Sequence, residues 1–471
     1  MRHGSPAPRK SKPGTLESRA TSLLAETIVG TEGHRRDALD AIRAALEGSD
    51  PRRLVRRALT FDGDGLSIGG RRYPLDDYRK ITVVGAGKAS GLMAAEVELI
   101  LGERIDGGIV IVPETQGSFI NLKRIRVEKS SHPLPARKGV LAARRALKTL
   151  DRVGRRDLVI FLFSGGGSSL MPLPASGITL EELRTVTTLL LNSGADIDEI
   201  NCVRKHISRI AGGRLVERTS GEAISLIVSD VVGDNPASVA SGPTVPDPTT
   251  FRMARDVLER HEIWGSLPLS VKTVIQSGVD GRIEETPKPG DPAFARVHSF
   301  VIGSNSDACM AAQKALEDLG YQVKYLKEPI TGEARFVGKT LAGLSTSNTS
   351  HGKWAVVAGG ETTVTVRGRG KGGRNQELAL SAALTLKGER ETTLVSFATD
   401  GIDGPTEAAG AIADTSTCKR AGTLGLNPSE SLKSNDSYTF FRTLRDLIVT
   451  GPTGTNVNDL VIVLGGAAAD S

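Results

Sequence analysis

The sequence predicts an α/β protein of two domains, the first built on a parallel sheet and the second on a mixed sheet. From Ile81 onward, short apolar runs alternate with longer amphipathic stretches, which is the pattern of strands connected by helices. The runs are apolar on both faces, as expected for parallel strands covered on both sides. With 471 residues the chain is long enough for more than one core, and its 54 glycines indicate many tight turns.

The first domain is predicted to contain four strands separated by helices. The strand candidates are residues 81–85, 108–112, 158–163 and 223–229, and helices are predicted at 138–150 and 180–191. Upstream, residues 18–48 have a helical pattern, and the Asp-Gly and Gly-Gly pairs within 61–75 indicate hairpin turns. We therefore expect an N-terminal helical segment and a hairpin ahead of the parallel sheet.

A Pro/Gly-rich segment at 286–292 separates this series from a second one. The second series consists of apolar runs at 299–303, 321–326, 354–359, 362–366, 392–399 and 460–466. The run at 362–366 (TTVTV) alternates and follows a turn, so part of the second sheet is predicted to be antiparallel. We assign residues 1–16 to a disordered basic tail, 17–290 to the first domain and 291–471 to the second.

Composition and charge exclude several classes of protein. The net charge is +6, but residues 1–20 hold five basic residues against one acid, so the rest of the chain is close to neutral and no nucleic-acid partner is expected. No window approaches 18 consecutive apolar residues, which predicts no membrane span. The three cysteines are far apart and the seven histidines form no zinc-binding pattern. A cytoplasmic protein is expected, and a monomer and a homodimer are both compatible with the sequence.

The first motif is a glycine turn between a predicted strand and a predicted helix, in the segment VVGAGKASGLMAAE (83–96). Gly85 and Gly87 fit a dinucleotide-binding turn, but that fingerprint requires Gly or Ala where the chain has Ser90. The spacing around Lys88 also excludes a P-loop. What remains is a turn that offers backbone N–H groups and one ammonium to an anion. Glu114, after the next strand, keeps a dinucleotide open because it could bind a ribose.

A second strand-to-helix glycine turn is present in FLFSGGGSSLM (161–171). It lacks the spacing of a hydrolase nucleophile elbow. Consecutive glycines let the backbone approach a ligand closely, and hydroxyls follow at the predicted helix N-terminus. Ligands of open α/β sheets bind beyond the carboxyl ends of the strands, so the two glycine turns together indicate one binding site. The candidate residues of this turn are Ser164, Gly165, Gly166, Gly167 and Ser168.

The second half supplies further charged groups. The glycine-rich loop RGRGKGGRNQELAL (367–380) carries Arg367, Arg369, Lys371 and Arg374 just before a predicted helix, which suits a phosphate-rich ligand.

Acids follow one strand in each half. They are Asp230, Asp234, Asp400 and Asp403, and such carboxylates could hold Mg²⁺ or accept a proton from a substrate hydroxyl. Anion-binding turns, cations and strand-end acids together favour phosphoryl transfer over hydride transfer.

With these motifs assembled, the chain resembles the glycerate 2-kinases that carry a C-terminal MOFRL domain. The matching stretches include VVGAGKAS (83–90), SSHPLP (130–135), FLFSGGGSSLM (161–171), VRKHISRIAGGRL (203–215), LIVSDVVGDNPASVASGPTVPDPTTF (226–251), IGSN (302–305), GGETTVTVRGRGKGGRNQELAL (359–380), ATDGIDGPTEAAGA (398–411) and TGPTGTNVND (450–459). The resemblance implies two αβα domains, the first Rossmann-like, with the active site in the cleft between them. It also implies ATP-dependent phosphorylation of D-glycerate at the 2-hydroxyl, with a divalent cation such as Mg²⁺.

The resemblance further implies which residues act. Its catalytic lysine, arginine and aspartate fall on Lys88, Arg374 and Asp400. The expected nucleotide- or substrate-binding residues are Gly85, Gly87, Ser164, Gly165, Gly166, Gly167, Ser168, Asp234, Asn305 and Glu361. Lys88 would neutralise the substrate carboxylate or the transferring phosphoryl group. Asp400 would orient or deprotonate the 2-hydroxyl, or hold the metal.

Two other functions stay open at the level of sequence. The first is an NAD(P)H-dependent hydroxypyruvate reductase that uses Gly85, Gly87 and Glu114 to bind its cofactor. The second is a non-catalytic protein that binds a nucleotide or a pterin cofactor without turnover. The joint presence of Lys88, Arg374 and Asp400 argues against simple binding, because a binding protein has no need of all three.

Overall fold

The computed structural model describes residues 33–116, 120–347, 352–386 and 391–466, so the predicted basic tail lies outside the described residues. The first strands form the predicted hairpin region, a small antiparallel sheet of order β1-β2-β3. Its strands are β1 (Thr60–Phe61), β2 (Gly65–Ile68) and β3 (Arg71–Pro74). The turn between β2 and β3 uses Gly69 and Gly70, both with positive φ, which explains the glycine pair in the sequence.

The first large sheet has six parallel strands in the order β6-β5-β4-β7-β8-β9. Its strands are β4 (Lys80–Ala86), β5 (Gly107–Pro113), β6 (Ile125–Ser130), β7 (Asp157–Ser164), β8 (Glu222–Val228) and β9 (Val297–Gly303). All eight residues of β7 are buried, because helices cover both faces of the sheet. The order reverses between β4 and β7, and such a topological switch point is where open α/β sheets bind ligands.

The second large sheet has six strands in the order β10-β11-β15-β12-β13-β14. Its strands are β10 (Gln322–Glu333), β11 (Trp354–Thr363), β12 (Thr392–Ala398), β13 (Gly410–Asp414), β14 (Leu447–Ile448) and β15 (Asp459–Gly465). Only β10 and β11 are parallel neighbours, so the predicted mixed sheet is confirmed. The run at 362–366 is not a strand of its own, since β11 already ends at Thr363.

Fifteen α-helices of the described residues surround the sheets. They are α1 (His34–Gly48), α2 (Pro51–Ala58), α3 (Ser90–Leu101), α4 (Arg137–Leu150), α5 (Gly167–Leu170), α6 (Leu180–Asn192), α7 (Ile197–His206), α8 (Phe251–Arg260), α9 (Leu269–Val279), α10 (Asn305–Asp318), α11 (Ala334–Ser347), α12 (Arg374–Thr385), α13 (Thr417–Thr423), α14 (Pro428–Lys433) and α15 (Ser437–Leu444). None of the described helices is long and apolar enough to cross a membrane.

Two elements lie in a different half from the one the sequence assigned. Strand β9 was expected to begin the second series, but it pairs with β8 and forms the edge of the first sheet. Helix α1 was assigned to the first domain, yet it packs on α10, β12 and β15 of the second half. Arg35 of α1 forms ion pairs of 2.6 Å with Asp414 and 2.8 Å with Asp446, which a local sequence pattern does not reveal. The predicted boundary at 290/291 stays a prediction.

The topology brings the functional loops of both halves together. In the first sheet, the carboxyl ends of β4, β7 and β8 share one edge because the strands are parallel. In the second sheet, Asp459 at the start of β15 pairs with Gly360 near the end of β11 and with Ala398 at the end of β12. One apolar core contains residues of both sheets, so the two edges are held on a common support.

Candidate active site

An ion pair joins the two halves of the chain at these edges. The ammonium Nζ of Lys88, just after β4, lies 2.7 Å from Oδ2 of Asp400, just after β12. Both side chains are mostly buried, with exposed fractions of 18% and 14%. The other carboxylate oxygen of Asp400 accepts the backbone N–H of Ile402 at 3.0 Å. Lys88 and Asp400 therefore form one fixed centre, although 312 positions separate them in sequence.

The two predicted glycine turns are locked to each other around Lys88. The backbone N–H of Lys88 donates to the carbonyl of Gly165 at 2.9 Å, and that of Ala89 donates to Oγ of Ser164 at 2.9 Å. Gly87 has φ of +146°, and a Cβ at this position would collide with the Ser164 hydroxyl. The glycines are thus required by close backbone approach, and the turns form a single surface at the switch point.

His132 adds a side chain to this surface. A Cβ on Gly166, which has φ of +82°, would lie 2.9 Å from the His132 ring and 3.4 Å from Cγ of Lys88. Burial and the neighbouring ammonium of Lys88 lower the pKa of His132 to about 4, although Asp400 acts in the opposite direction. His132 is therefore a neutral imidazole at physiological pH.

Asp230 lies on the opposite side of the second glycine turn. A Cβ on Gly165 would overlap the Asp230 carboxylate, so only glycine fits there. Asn456, in the loop before β15, donates to Oδ2 of Asp230 at 3.0 Å. Burial raises the pKa of Asp230 to about 6; the charge of Lys88 lowers it, while Glu361 raises it. Asp230 therefore lies among charged groups of both sheets.

Arg374 is held in place by two acids at the edge of the second sheet. Its Nε and Nη2 donate to the two carboxylate oxygens of Asp459 at 2.5 and 2.9 Å, and its Nη1 donates to Glu361 at 2.5 Å. Burial opposes the charge, but the contacts with Asp459 outweigh it and raise the pKa of Arg374. The guanidinium is fixed, charged and about one third exposed at its side chain.

Several predicted binding residues have partners within the protein. Gly85 lets β4 approach the Leu162 carbonyl of β7. The Ser168 hydroxyl contacts that of Ser241 at 2.9 Å. The side-chain amide of Asn305 donates to the carbonyls of Val457 and Asp459, so Asn305 supports the loop that carries Asn456.

Asp234 has a positive φ of 53° on the turn after β8. Its negative charge contributes to the raised pKa of Tyr325 of β10. Ligand contacts of these residues stay predictions.

Asp403 has a structural role that the sequence did not distinguish from the role of Asp400. Its carboxylate accepts the backbone N–H groups of Asn375 at 3.1 Å and Gln376 at 2.9 Å, and the Gln376 side chain at 2.9 Å. It is 1% exposed. Asp403 thus caps the N-terminus of α12 and fixes the helix whose first residue is Arg374.

The other cations of the predicted basic loop lie further from the centre. The backbone of Arg367 donates to Asn435, and Lys371 contacts the ring of Tyr438 with its ammonium 4.4 Å from the ring centre. Arg367, Arg369 and Lys371 have exposed side chains. The loop therefore rests on α15 and the turn before it, and Arg374 is its member at the centre.

Comparisons with known proteins identify the relatives of this chain. Two family models match the chain, one described as a domain of unknown function (DUF4147) at residues 37–276 and the other as the MOFRL family at residues 354–459. Glycerate 2-kinase of Pyrococcus horikoshii is 42% identical over 432 residues, which cover 90% of this chain and 96% of that protein. D-glycerate 2-kinase of Thermotoga maritima is 37% identical over 441 residues, covering 92% and 99%.

The chain belongs to the glycerate 2-kinase family. A crystal structure of glycerate kinase from Thermotoga maritima matches it with a TM-score of 0.78 and 36% identity, covering 91% of this chain and 99% of that one. The predicted α/β fold, with a parallel first sheet and a mixed second sheet, is therefore confirmed.

Sequence reasoning missed three residues of this candidate site, namely His132, Asn456 and Asp459. The spacing of His132 from the other histidines indicates no metal site and suggests no other role. It does lie in SSHPLP, one of the stretches that carry the resemblance. Asn456 and Asp459 lie in TGPTGTNVND, another such stretch, and they contact Asp230 and Arg374. Asn456 has no local signature, because its partner Asp230 lies more than 200 residues away and only the fold brings the two together.

Proposed function

We propose that the protein transfers the γ-phosphoryl group of ATP to the 2-hydroxyl of D-glycerate, giving 2-phosphoglycerate and ADP. The observation that carries the proposal is the Lys88–Asp400 contact of 2.7 Å at the junction of the two glycine turns. A cation and a carboxylate at one point suit a reaction in which a hydroxyl attacks a phosphoryl group and charge develops on its oxygens. The names of the relatives in Pyrococcus and Thermotoga support the same reaction.

Arg374 stabilises the transferring phosphoryl group in this proposal. Nε, Nη1 and Nη2 each use one N–H on Asp459 or Glu361, and a guanidinium has five such donors. Two N–H groups therefore remain for phosphoryl oxygens. Because Asp459 already fixes the plane of the guanidinium, little conformational entropy is lost when the phosphoryl group arrives.

Asp400 and Lys88 act together on the hydroxyl and the phosphoryl group. Asp400 orients the 2-hydroxyl and accepts its proton, or holds the metal. Lys88 keeps its contact with Asp400 while its other N–H groups bind an anionic oxygen of the substrate or of the phosphoryl group. The glycine turn at 164–168 offers backbone N–H groups to phosphate oxygens from the opposite side.

A divalent cation fits the oxygen donors at this edge. Mg²⁺ is usually bound by one or two carboxylates together with substrate phosphates and water, and Asp230 and Asp400 would supply the carboxylates. Within the described residues no group of three or more histidine, cysteine or acid side chains is arranged to hold a metal alone, which agrees with a cation that needs the nucleotide. When bound, it would neutralise charge on the phosphates.

The reductase alternative is weaker because Glu114 already has a partner within the protein. This acid lies after β5, where a dinucleotide ribose would bind, but it pairs with Lys138 at 2.9 Å.

A coupled assay of ADP release over a panel of small hydroxy acids tests the proposal. D-glycerate should be the preferred acceptor, and adding enolase should convert the product further, since enolase consumes 2-phosphoglycerate and not 3-phosphoglycerate. NADH consumption with hydroxypyruvate in the absence of ATP would overturn the kinase proposal in favour of the reductase.

A further inference from the structure

Both cations of the expected catalytic set are already paired with acids. Lys88 contacts Asp400, and Arg374 contacts Asp459 and Glu361. A substrate that carries a carboxylate and a nucleotide that carries several phosphates both need positive charge on binding. A further cation with no acid partner near the glycine turns would meet that need.

Arg204 is such a cation. It stands in α7 within the run Arg204, Lys205, His206, and the other two members have acid partners, since Lys205 pairs with Asp247 at 3.3 Å and His206 with Glu285 at 3.1 Å. Among the described residues, no side chain or carbonyl forms a hydrogen bond or ion pair with the Arg204 guanidinium, although the residue is half-buried. Burial lowers the pKa of Arg204, and no neighbouring acid opposes that effect. The guanidinium is therefore a cation that an anionic ligand can contact without displacing a protein acid.

Helix α7 is linked to the second glycine turn through Asn201. Asn201, one helical turn earlier, accepts the Ser241 hydroxyl at 3.1 Å, and Ser241 in turn contacts the Ser168 hydroxyl at 2.9 Å. Residues three apart on a helix are neighbours on its surface, with about 5–6 Å between their Cβ atoms. On the surface of α7, Arg204 is therefore a neighbour of Asn201, the first member of a hydroxyl–amide chain that ends at Ser168.

The backbone at this junction is strained. Ala240 and Ser241 have φ of +52° and +60°, a region that favours glycine, and a Cβ on Gly167 would lie 2.6 Å from Cβ of Ala240. Consecutive non-glycine residues in this region are uncommon and concentrate at ligand-binding sites. The strain is consistent with a segment shaped to present the Ser241 hydroxyl between Asn201 and Ser168.

We propose that Arg204 binds the carboxylate of the 2-hydroxy acid substrate, with Asn201 and Ser241 beside it. The inference rests on the proposed kinase function and deepens it. A guanidinium matches a planar carboxylate with two parallel hydrogen bonds, so it selects hydroxy acids over neutral alcohols. Lys88 is then left for the transferring phosphoryl group, which resolves the choice that the sequence left open.

Steady-state kinetics of Arg204→Ala and Arg204→Lys test the assignment, with Arg209→Ala as the control. Arg209 is an exposed arginine on the segment that follows α7, outside the proposed machinery. Removal of a charge-assisted pair should raise KM for D-glycerate about 10- to 100-fold. KM for ATP should stay unchanged, and the lysine variant should be intermediate because it keeps the charge but loses the two parallel bonds. Added guanidinium ion should partly restore R204A.

The outcomes separate this inference from the kinase proposal. If the wild type phosphorylates D-glycerate and R204A keeps the wild-type KM for it, the carboxylate assignment is wrong while the kinase function stands. A rise confined to KM for ATP would also overturn it and would assign Arg204 to a phosphate instead. A wild-type enzyme that does not phosphorylate D-glycerate overturns the kinase proposal and, with it, this assignment. Melting curves of R204A and R204K identify any loss that comes from misfolding, and R204K carries the test if R204A does not fold.

Discussion

The ammonium of Lys88 lies 2.7 Å from the carboxylate of Asp400, and this contact joins the carboxyl-end loops of two different sheets. Neither loop alone is a complete site, since one supplies the glycine turns and the cation and the other supplies the acid. The candidate active site therefore depends on how the two sheets are held together by the core that they share.

We expect Lys88→Ala and Asp400→Asn each to lower kcat by roughly 10²–10⁴-fold, because each removes a group aimed at developing charge. The double variant should be little worse than either single variant, since the two groups act as a unit. ADP release at saturating D-glycerate and ATP measures this. Lys314→Ala, which removes a lysine paired with Asp318 on the surface of α10, is the control and should keep wild-type turnover. Near-wild-type turnover of K88A would remove Lys88 from the catalytic set.

Arg374→Lys should be far from conservative. A lysine keeps the charge but cannot contact both oxygens of Asp459 and still present two N–H groups to a phosphoryl group. We expect kcat to fall at least roughly 10²-fold. Asp459→Asn should cost less, because the guanidinium keeps all its N–H donors and still has Glu361 as a partner. If D459N loses as much kcat as R374K, the two bonds to Asp459, and not the N–H groups offered to the phosphoryl group, account for the loss.

Asp403 and Asp400 lie three residues apart, but we expect Asp403 to act mainly on stability and Asp400 mainly on catalysis. Asp403→Ala removes the cap of α12 and leaves buried N–H groups without an acceptor, so we expect a loss of roughly 2 kcal/mol or more of unfolding free energy. The folded fraction should keep most of its kcat. Asp400→Asn should show its main effect as a large loss of kcat. Urea unfolding and active-site-normalised turnover separate the two; an unchanged unfolding free energy in D403A would contradict the capping role.

The sheets could be predicted from sequence because their strands are nearly continuous apolar runs. Residues 158–163 read as a buried strand, and β7 is buried throughout. Strand β6 escaped prediction because it is an edge strand with charged residues, of which Arg126 and Lys129 are exposed. The sequence also did not show which sheet β9 and α1 pack against, since the partner of an element is decided by tertiary packing that local patterns do not encode.

The candidate site was predictable in its types of residue but not in its pairings. Glycine turns and strand-end acids have local signatures, so Lys88 and Asp400 were found on opposite halves. The sequence could not tell that Asp403 caps a helix while Asp400 meets Lys88, because both follow the same strand. It also could not reveal that Arg204 lacks a partner, since that depends on every side chain packed around α7.

Asp230→Asn should make the protein more stable at neutral pH. Burial raises the pKa of Asp230 to about 6, above the ordinary value near 3.8. Between these two values the folded protein keeps a proton that the unfolded chain has lost. Asp230 therefore decreases stability as the pH rises through roughly 4–6, and the decrease is complete above that range. Removing the charge should add about 1–3 kcal/mol at pH 7.5.

The stability gain of Asp230→Asn should shrink as the pH falls towards 4, because wild-type Asp230 is then increasingly protonated. Chemical denaturation of wild type and D230N between pH 4 and 8 measures the difference. Since Asn456 still has a carbonyl acceptor in the variant, its hydrogen bond is retained and does not obscure the comparison. The same variant should require more Mg²⁺ for half-maximal turnover, because a carboxylate proposed to hold the cation is gone. A stability difference that does not change with pH would show that the charge of Asp230 does not lower the stability of the folded protein, and it would contradict the prediction.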